Sequence, residues 1–179
     1  LAFAEGLQAA GVVPVVKHFP GLGGTKGNTD FRMAHTLPWD QLQKTGMLPF
    51  KAAIEAGLPA IMVANAAVPG LTDQPATLSP QVMEVLRQQL QFKGLIVTDT
   101  LSAEALAVSG YSVEQAAVLA LRAGADLLLY GNADTPVERF TQITTAIVTA
   151  VNQKQLSRER LIGAVNAVLA AKHLGSCGS

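Results

Sequence analysis

The sequence predicts an α/β fold built on parallel strands, and two observations indicate it. Four short runs are aliphatic or β-branched without polar alternation, as expected of strands buried on both faces. They lie at 12–16, 60–64, 95–98 and 126–130. Helical patterns separate the runs, and such alternation requires parallel strands joined by right-handed crossovers. The architecture is therefore a doubly wound sheet or a TIM barrel.

The helices between the strands carry start and stop signals. The first ten residues read as a helix, and the pattern at 40–55 contains Pro49, which would kink or interrupt it. Two further helices are predicted after the last strand, at about 135–152 and 158–172. The predicted N-caps are Ser79, Ser112 and Ser157. Gly124 stands where the helix that begins after Ser112 should end.

Composition excludes several classes of partner. The 179 residues include 13 basic and 13 acidic side chains without a Lys/Arg run, so no nucleic-acid partner is expected. No stretch approaches the roughly 18 apolar residues of a membrane-spanning segment. The single cysteine, Cys177, cannot form an internal disulfide, and we expect no role for it. A small or neutral substrate fits this composition best.

The chain begins inside a predicted helix. Leu1 and the residues after it have helical character, but no capping residue precedes them. We therefore expect the natural N-terminus to lie upstream, together with any signal peptide or lipid-attachment site.

Polar residues follow the apolar runs at the predicted carboxyl ends of the strands. They are Lys17 and His18, then Asn65, then Asp99, then residues 130–132 (Tyr-Gly-Asn). Since the βα loops of parallel α/β proteins gather at these ends, the four groups predict a shared pocket. The alternative is that they are ordinary polar residues leaving a strand.

The longest predicted loop, about 19–39, follows the first strand and is rich in glycine. Loops of this length in compact domains are usually functional or disordered, and the glycines predict a mobile active-site loop, with a plain surface loop as the alternative. The glycines do not match a phosphate-binding pattern. His18, His35 and His173 lack the spacing of metal ligands, so neither a metal nor a cofactor is expected.

Two segments resemble glycoside hydrolase family 3. Residues 17–23, KHFPGLG, are very similar to the family signature KHFPGHG. Residues 86–102, LRQQLQFKGLIVTDTLS, resemble the nucleophile segment LRxxLGFxGxIxTDxLxM. Smaller agreements extend the match from Gly6 to Leu174, with the single-barrel β-N-acetylglucosaminidases as the nearest type. Many of these act on peptidoglycan fragments.

The resemblance implies a partial TIM (β/α)8 barrel. Residues 1–179 would be the C-terminal portion of the catalytic barrel, about strands four to seven and the C-terminal helices. The N-terminal part of the barrel would be the missing partner, and the second sandwich domain of the family's β-glucosidases would be absent. A half barrel exposes sheet edges, so we expect the isolated segment to be inactive.

The resemblance also implies roles for individual residues. Asp99 matches the nucleophile of the retaining mechanism, which forms a covalent glycosyl-enzyme. Lys17 and His18 match residues that hydrogen-bond sugar hydroxyls, with a buried structural pair as the alternative. Asn28 and Asn65 are further candidate substrate-binding residues. Asn65 stands where a histidine commonly ends the fifth strand, and Leu22 replaces the second histidine of the signature.

The general acid/base is where the sequence departs most from the family. The N-acetylglucosaminidases usually carry Asp-x-His in the long loop, and here Asn28, Thr29 and Asp30 occupy that place. Asp30 is the favoured acid, provided that loop closure, desolvation and the charge of Asp99 keep it protonated. His35 is the alternative.

The predicted function is a retaining glycosidase that removes β-linked N-acetylglucosamine from peptidoglycan-type or other glycosides. The alternatives are an inactive sugar-binding barrel, another sugar specificity, or transfer to phosphate. An aldolase that forms a Schiff base on Lys17 is allowed chemically but leaves residues 86–102 unexplained. Resemblance to envelope-associated relatives favours the cell envelope or the exterior over the cytoplasm.

Overall fold

A computed structural model describes residues 1–131 and 135–175. Three strands form a parallel sheet in the order in which they occur along the chain: β1 (Val15–Phe19), β2 (Ala60–Val63) and β3 (Leu95–Thr98). Helices follow each strand and cover the sheet. The predicted α/β class with parallel strands is confirmed.

The first strand lies three residues later than predicted. Val12 and Val13 lie in the segment between the first helix and β1, and Lys17 and His18 lie within β1 instead of after it. The pairing of β1 with β2 changes register between Val16 and Phe19. Lys17 and His18 lie between these two positions, at the irregularity. The Lys17–His18 and Phe19–Pro20 peptide bonds are cis.

The predicted fourth strand, 126–130, is not a regular strand. It runs beside β3 with one parallel bridge, between Val97 and Leu127. The backbone N–H of Leu129 donates to the side-chain hydroxyl of Thr98 at 2.9 Å. Because a side chain takes the place of a backbone acceptor there, the ladder with β3 breaks off.

The helices largely follow the prediction. Their bounds are α1 Ala2–Ala9, α2 Trp39–Lys44, α3 Leu48–Glu55, α4 Pro80–Glu84, α5 Glu104–Val108, α6 Val113–Ala123, α7 Pro136–Asn152 and α8 Arg158–Ala171. The 40–55 pattern is interrupted as expected, with Pro49 in the first turn of α3. A 3-10 turn, Ala76–Leu78, precedes α4, and a π-helical segment, Val85–Gln89, follows α4 directly. The short helix α5 was not predicted.

Two of the three predicted N-caps are formed by the serine side chain. The Ser112 and Ser157 hydroxyls each accept the backbone N–H three residues later, and Ser112 forms a full capping box with Gln115. Ser79 precedes α4, but its hydroxyl donates to the side chain of Gln81 instead. Gly124 ends α6 at a φ of 131°, as predicted.

The main core lies between the sheet and helices α2 to α6. Phe19, Ile61 and Ile96 from the three strands are fully buried there, and Phe19 packs edge-on against Phe50 at 5.2 Å. A smaller cluster packs the other face of β2 and β3 against α8. Helix α1 buries no residue. No helix in the described ranges is both long and apolar enough to span a membrane.

Candidate active site

Asp99 occupies the carboxyl end of β3. Its backbone N–H donates to the carbonyl of Val63 on β2 at 3.0 Å, which continues the pairing of the two strands. Its Oδ1 accepts the backbone N–H of Thr100 at 2.8 Å. Oδ2 has no hydrogen bond to any residue that the structure describes. The carboxylate is thus held by one oxygen, while the other oxygen is available to a ligand.

His18 lies on β1 and comes close to Asp99, the residue that follows β3. Its Nε2 lies 3.9 Å from Oδ1 of Asp99, and the side chains are 24% and 14% exposed. Burial lowers the pKa of the His18 imidazole; the charge of Lys17 acts in the same direction, and those of Asp99 and Asp30 oppose it. The net pKa lies below 6.5, so the ring is mainly neutral at neutral pH. A neutral imidazole can both donate and accept a hydrogen bond.

Asn65 is the second residue after the end of β2 and is fully buried. Its Nδ2 donates to the carbonyl of Thr100 at 2.8 Å. Its Oδ1 is buried without a partner among the described residues. The amide therefore contacts the turn that carries Asp99 and has no exposed surface of its own.

The long loop after β1 is attached to the helix that follows Asp99. The carbonyls of Thr29 and Asp30 accept the backbone N–H groups of Ala105 and Glu104 at 3.0 and 3.4 Å. The Oδ1 of Asn28 accepts the N–H of Asp30 at 2.9 Å. The side chains of Asn28 and Asp30 are exposed. Asp30 lies close enough to the site for its charge to act on His18.

His35 lies in a different part of the same loop. Its backbone pairs with Lys26 on one side and with Ala67 on the other, and its side chain is exposed. Among the contacts of the described residues, none joins His35 to His18 or Asp99. The structure therefore ties Asp30, but not His35, to the surroundings of Asp99.

One glycine of this loop, Gly21, has a structural cause that differs from the predicted mobility. Gly21 has a φ of 128°, and a Cβ there would come within 3.0 Å of the Gly46 carbonyl oxygen. A side chain would therefore be strained by the backbone conformation and also crowded by the turn after α2. Gly21 permits close packing, so its presence is not evidence of loop motion.

Other polar groups complete the neighbourhood of Asp99. The N–H of Gly131 donates to the hydroxyl of Ser102 at 3.3 Å, so the end of the 126–130 run lies beside the turn after Asp99. Asn132, predicted to share the pocket, and Cys177 lie outside the described residues. Thr100 was missed by the sequence reasoning, although it stands next to the nucleophile candidate in the 86–102 segment. No group of three His, Cys, Asp or Glu side chains within 1–131 and 135–175 could hold a metal ion.

The relationship to known proteins agrees with this geometry. Residues 1–171 match the family model described as the Glycosyl hydrolase family 3 N terminal domain. The chain belongs to glycoside hydrolase family 3. The expected resemblance is thereby confirmed, and it extends over nearly all of the chain.

The family 3 relatives of this chain include β-hexosaminidases with curated names. The β-hexosaminidase LpqI of Mycobacterium tuberculosis is 36% identical over 135 residues, which cover 72% of this chain and 35% of that protein. The β-hexosaminidase of Tolumonas auensis is 39% identical over 134 residues, covering 73% and 40%. The chain thus spans well under half the length of these curated relatives.

A solved family 3 structure shows the same fold. The β-N-acetylglucosaminidase of a Paenibacillus species superimposes with a TM-score of 0.88 at 34% sequence identity, covering 98% of this chain and 34% of that one. The arrangement of strands and helices described above is therefore shared with a larger family 3 enzyme.

Proposed function

We propose that this chain carries the nucleophile of a retaining glycoside hydrolase that removes β-linked N-acetylglucosamine from peptidoglycan-type or other glycosides. The observation that carries the proposal is the state of Asp99. Its Oδ1 is held by a peptide N–H, its Oδ2 is free of described partners, and His18 lies 3.9 Å from Oδ1. The names of the family 3 relatives supply the sugar.

The proposed reaction proceeds by double displacement at the anomeric carbon. Asp99 attacks that carbon as its bond to the leaving oxygen breaks, and the general acid protonates the leaving oxygen. The acid, now a base, then takes a proton from water, and the water oxygen displaces Asp99. Both steps regenerate the starting carboxylate and acid, and the sugar keeps its β configuration.

We assign the acid/base role to Asp30. The carbonyls of Asp30 and of the residue before it accept hydrogen bonds from the first residues of α5, the helix after the Asp99 turn. The charge of Asp30 also acts to raise the pKa of His18. His35 has neither connection among the described contacts. Two carboxyl groups in a retaining site should stand about 5 to 5.5 Å apart when substrate is bound. Desolvation of the exposed Asp30 would then have to come from the sugar itself.

Substrate binding is assigned to Lys17, His18 and Asn28. The neutral His18 imidazole lies 3.9 Å from Asp99, where sugar hydroxyls would lie, and the exposed Lys17 precedes it in β1. Asn28 presents an exposed amide on the loop that carries Asp30. For Asn65, which was also predicted to bind substrate, complete burial disfavours direct contact with the sugar.

We further propose that the catalytic domain is a TIM barrel of which residues 1–179 form the C-terminal portion. The chain spans 35% and 40% of the two curated relatives named above, which leaves length for further strands. Val15 on the edge strand β1 is 40% exposed and Phe3 on α1 is 83% exposed. A preceding set of strands would cover this apolar edge. The isolated segment is accordingly expected to be inactive.

The test is turnover by the complete protein. It should hydrolyse 4-nitrophenyl N-acetyl-β-glucosaminide far faster than the matching β-glucoside, and proton NMR should show the β anomer as the first product. First formation of the α anomer would contradict the retaining mechanism. Sugar 1-phosphate formed in phosphate buffer would indicate phosphorolysis, and binding of N-acetylglucosamine without turnover would indicate an inactive sugar-binding barrel.

A further inference from the structure

We propose that Asn65 is a positioning residue that holds the turn carrying the nucleophile, and that it does not contact the sugar. The inference rests on the proposed function, because it needs Asp99 to be the attacking residue. It departs from the role that the sequence suggested for Asn65. Three features of the structure support it: what the amide contacts, how the turn is held, and how deeply the amide is buried.

The contact runs from Asn65 through Thr100 to Asp99. Nδ2 of Asn65 donates to the Thr100 carbonyl at 2.8 Å, across 35 positions of sequence. The backbone N–H of the same Thr100 donates to Oδ1 of Asp99 at 2.8 Å. One residue therefore receives the amide of Asn65 on its carbonyl and holds the nucleophile through its N–H. A displacement of Thr100 would move the carboxylate with it.

The backbone holds the turn at its two flanks. The N–H of Asp99 donates to the Val63 carbonyl at 3.0 Å, and the N–H of Leu101 donates to the Leu129 carbonyl at 2.8 Å. At the apex, the Thr100 carbonyl accepts one bond from within the turn region, the N–H of Ala103 at 3.2 Å. Asn65 provides the side-chain link from that apex to the end of β2.

Burial separates positioning from sugar contact. Asn65 has no solvent-exposed surface, so a bound sugar would meet Asp99 and His18 before it could reach the amide. Loss of the amide should therefore slow the attack of Asp99 without weakening sugar binding. A misplacement of about 1 Å in a reacting group can cost up to ~100-fold in rate.

Thr77 offers a matched control. It is fully buried near the same strand end, where its N–H donates to the Ala64 carbonyl. Its hydroxyl, like Oδ1 of Asn65, is buried without a partner among the described residues. No described hydrogen bond joins Thr77 to the Asp99 turn. Thr77→Val therefore alters a comparably buried polar side chain while leaving that turn intact.

The experiment measures how fast an activated fluorinated N-acetylglucosaminide labels the complete enzyme covalently. The maximal labelling rate reports the attack by Asp99, and the half-saturating concentration reports sugar binding. Asn65→Ala and Asn65→Leu should lower the rate by roughly 10- to 100-fold and change half-saturation by less than about threefold. Thr77→Val should change both by less than about threefold. Asn65→His, which restores an N–H donor, should recover most of the rate.

Each outcome decides the matter. A folded Asn65→Leu enzyme that labels at the parental rate would overturn the inference while the proposed function stands. A raised half-saturation at an unchanged rate would return Asn65 to the sugar-binding residues. Absence of labelling at Asp99 in the parent would overturn the proposed function and this inference together. Should neither apolar variant fold, Asn65→His decides: labelling within about fivefold of the parent supports a donor here, and slower labelling by a folded variant contradicts it.

Discussion

The two ends of the sheet each hold a carboxylate, and the protein surrounds them differently. Near the amino end of β3, Asp126 binds Arg87 at 2.6 Å and Arg160 at 2.9 Å, and accepts the N–H of Ile96 at 3.0 Å. Both of its oxygens are used, and the side chain is 4% exposed. At the carboxyl end, Asp99 has one oxygen held and one free of described partners, and is 14% exposed.

The difference separates a structural carboxylate from the proposed nucleophile. The two guanidiniums on Asp126 also donate to backbone carbonyls, Arg87 to Phe92 and Gly94, and Arg160 to Leu121 and Ala125. They thereby join the π-helical segment, α6 and α8 around one charge. A carboxylate neutralised in this way is a poor nucleophile, because attack would require breaking its ion pairs. Asp99 carries no such cost.

Replacing Asp99 should produce the largest effect on activity. Asp99→Asn in the complete enzyme is expected to lower kcat by at least ~1000-fold, because an amide cannot form the glycosyl-enzyme. The melting temperature should stay near that of the parent, since the Thr100 N–H can still donate to the amide oxygen. Near-parental turnover of a 4-nitrophenyl substrate by Asp99→Asn would refute the nucleophile assignment.

Replacing Asp126 should have the opposite signature. Asp126→Asn leaves two guanidiniums without their counter-charge, and we expect a loss of about 3 kcal/mol in the free energy of unfolding. The kcat per folded molecule should stay within about twofold of the parent. Glu114→Gln is the matched control, because it breaks the more exposed pair with Arg139 and should cost only about 0.5 kcal/mol. Denaturant unfolding measures both, and equal losses would remove the distinction between the two pairs.

Replacing Asp30 tests the proton donor at the reactive end. Asp30→Ala should slow the release of poor leaving groups by roughly 100-fold and that of an activated nitrophenyl group much less, since only the former need protonation. Azide should restore part of the turnover. His35→Ala is the comparison, and a selective loss in that variant, with Asp30→Ala like the parent, would transfer the role to His35.

The smallest expected effect concerns the titration of His18. Burial lowers the pKa of His18 and the charge of Asp99 raises it, so Asp99→Asn should lower this pKa further. In the parent, the pKa of His18 is lower in the folded state than the 6.5 of the unfolded state. At a pH between these two values the unfolded state binds more protons, so the free energy of unfolding decreases as the pH falls through this range. Proton NMR of the imidazole measures the shift. A rise on removing Asp99 would contradict the proximity of the two groups.

Much of the fold could be predicted because each signal is local. Four predicted features depend only on neighbouring residues: the helix break at Pro49, the N-caps at Ser112 and Ser157, and the helix end at Gly124. All four are confirmed. The first strand was misplaced because Lys17 and His18 interrupt its apolar pattern at a register change. Helix α5 was missed because five residues are too few to show helical periodicity.

The site shows the same limit. Asp99 and His18 could be predicted from short segments that resemble a family, and the structure brings them within 3.9 Å. The contact between Asn65 and Thr100 joins positions 35 apart, and the ion pairs of Asp126 join positions 39 and 34 apart. Such contacts depend on how the strands pack, which residue type and spacing do not specify. The sequence therefore indicated candidate reactive groups and left open which groups hold them in place.

The location of a trapped sugar tests the central claim most directly. The complete enzyme, treated with an activated fluorinated N-acetylglucosaminide and digested, should yield one modified peptide with the sugar attached to Asp99. Fragmentation by tandem mass spectrometry assigns the attachment to a single residue. A sugar on Asp30 or on any other residue would contradict the claim that the partly held carboxylate at the carboxyl end of β3 is the nucleophile.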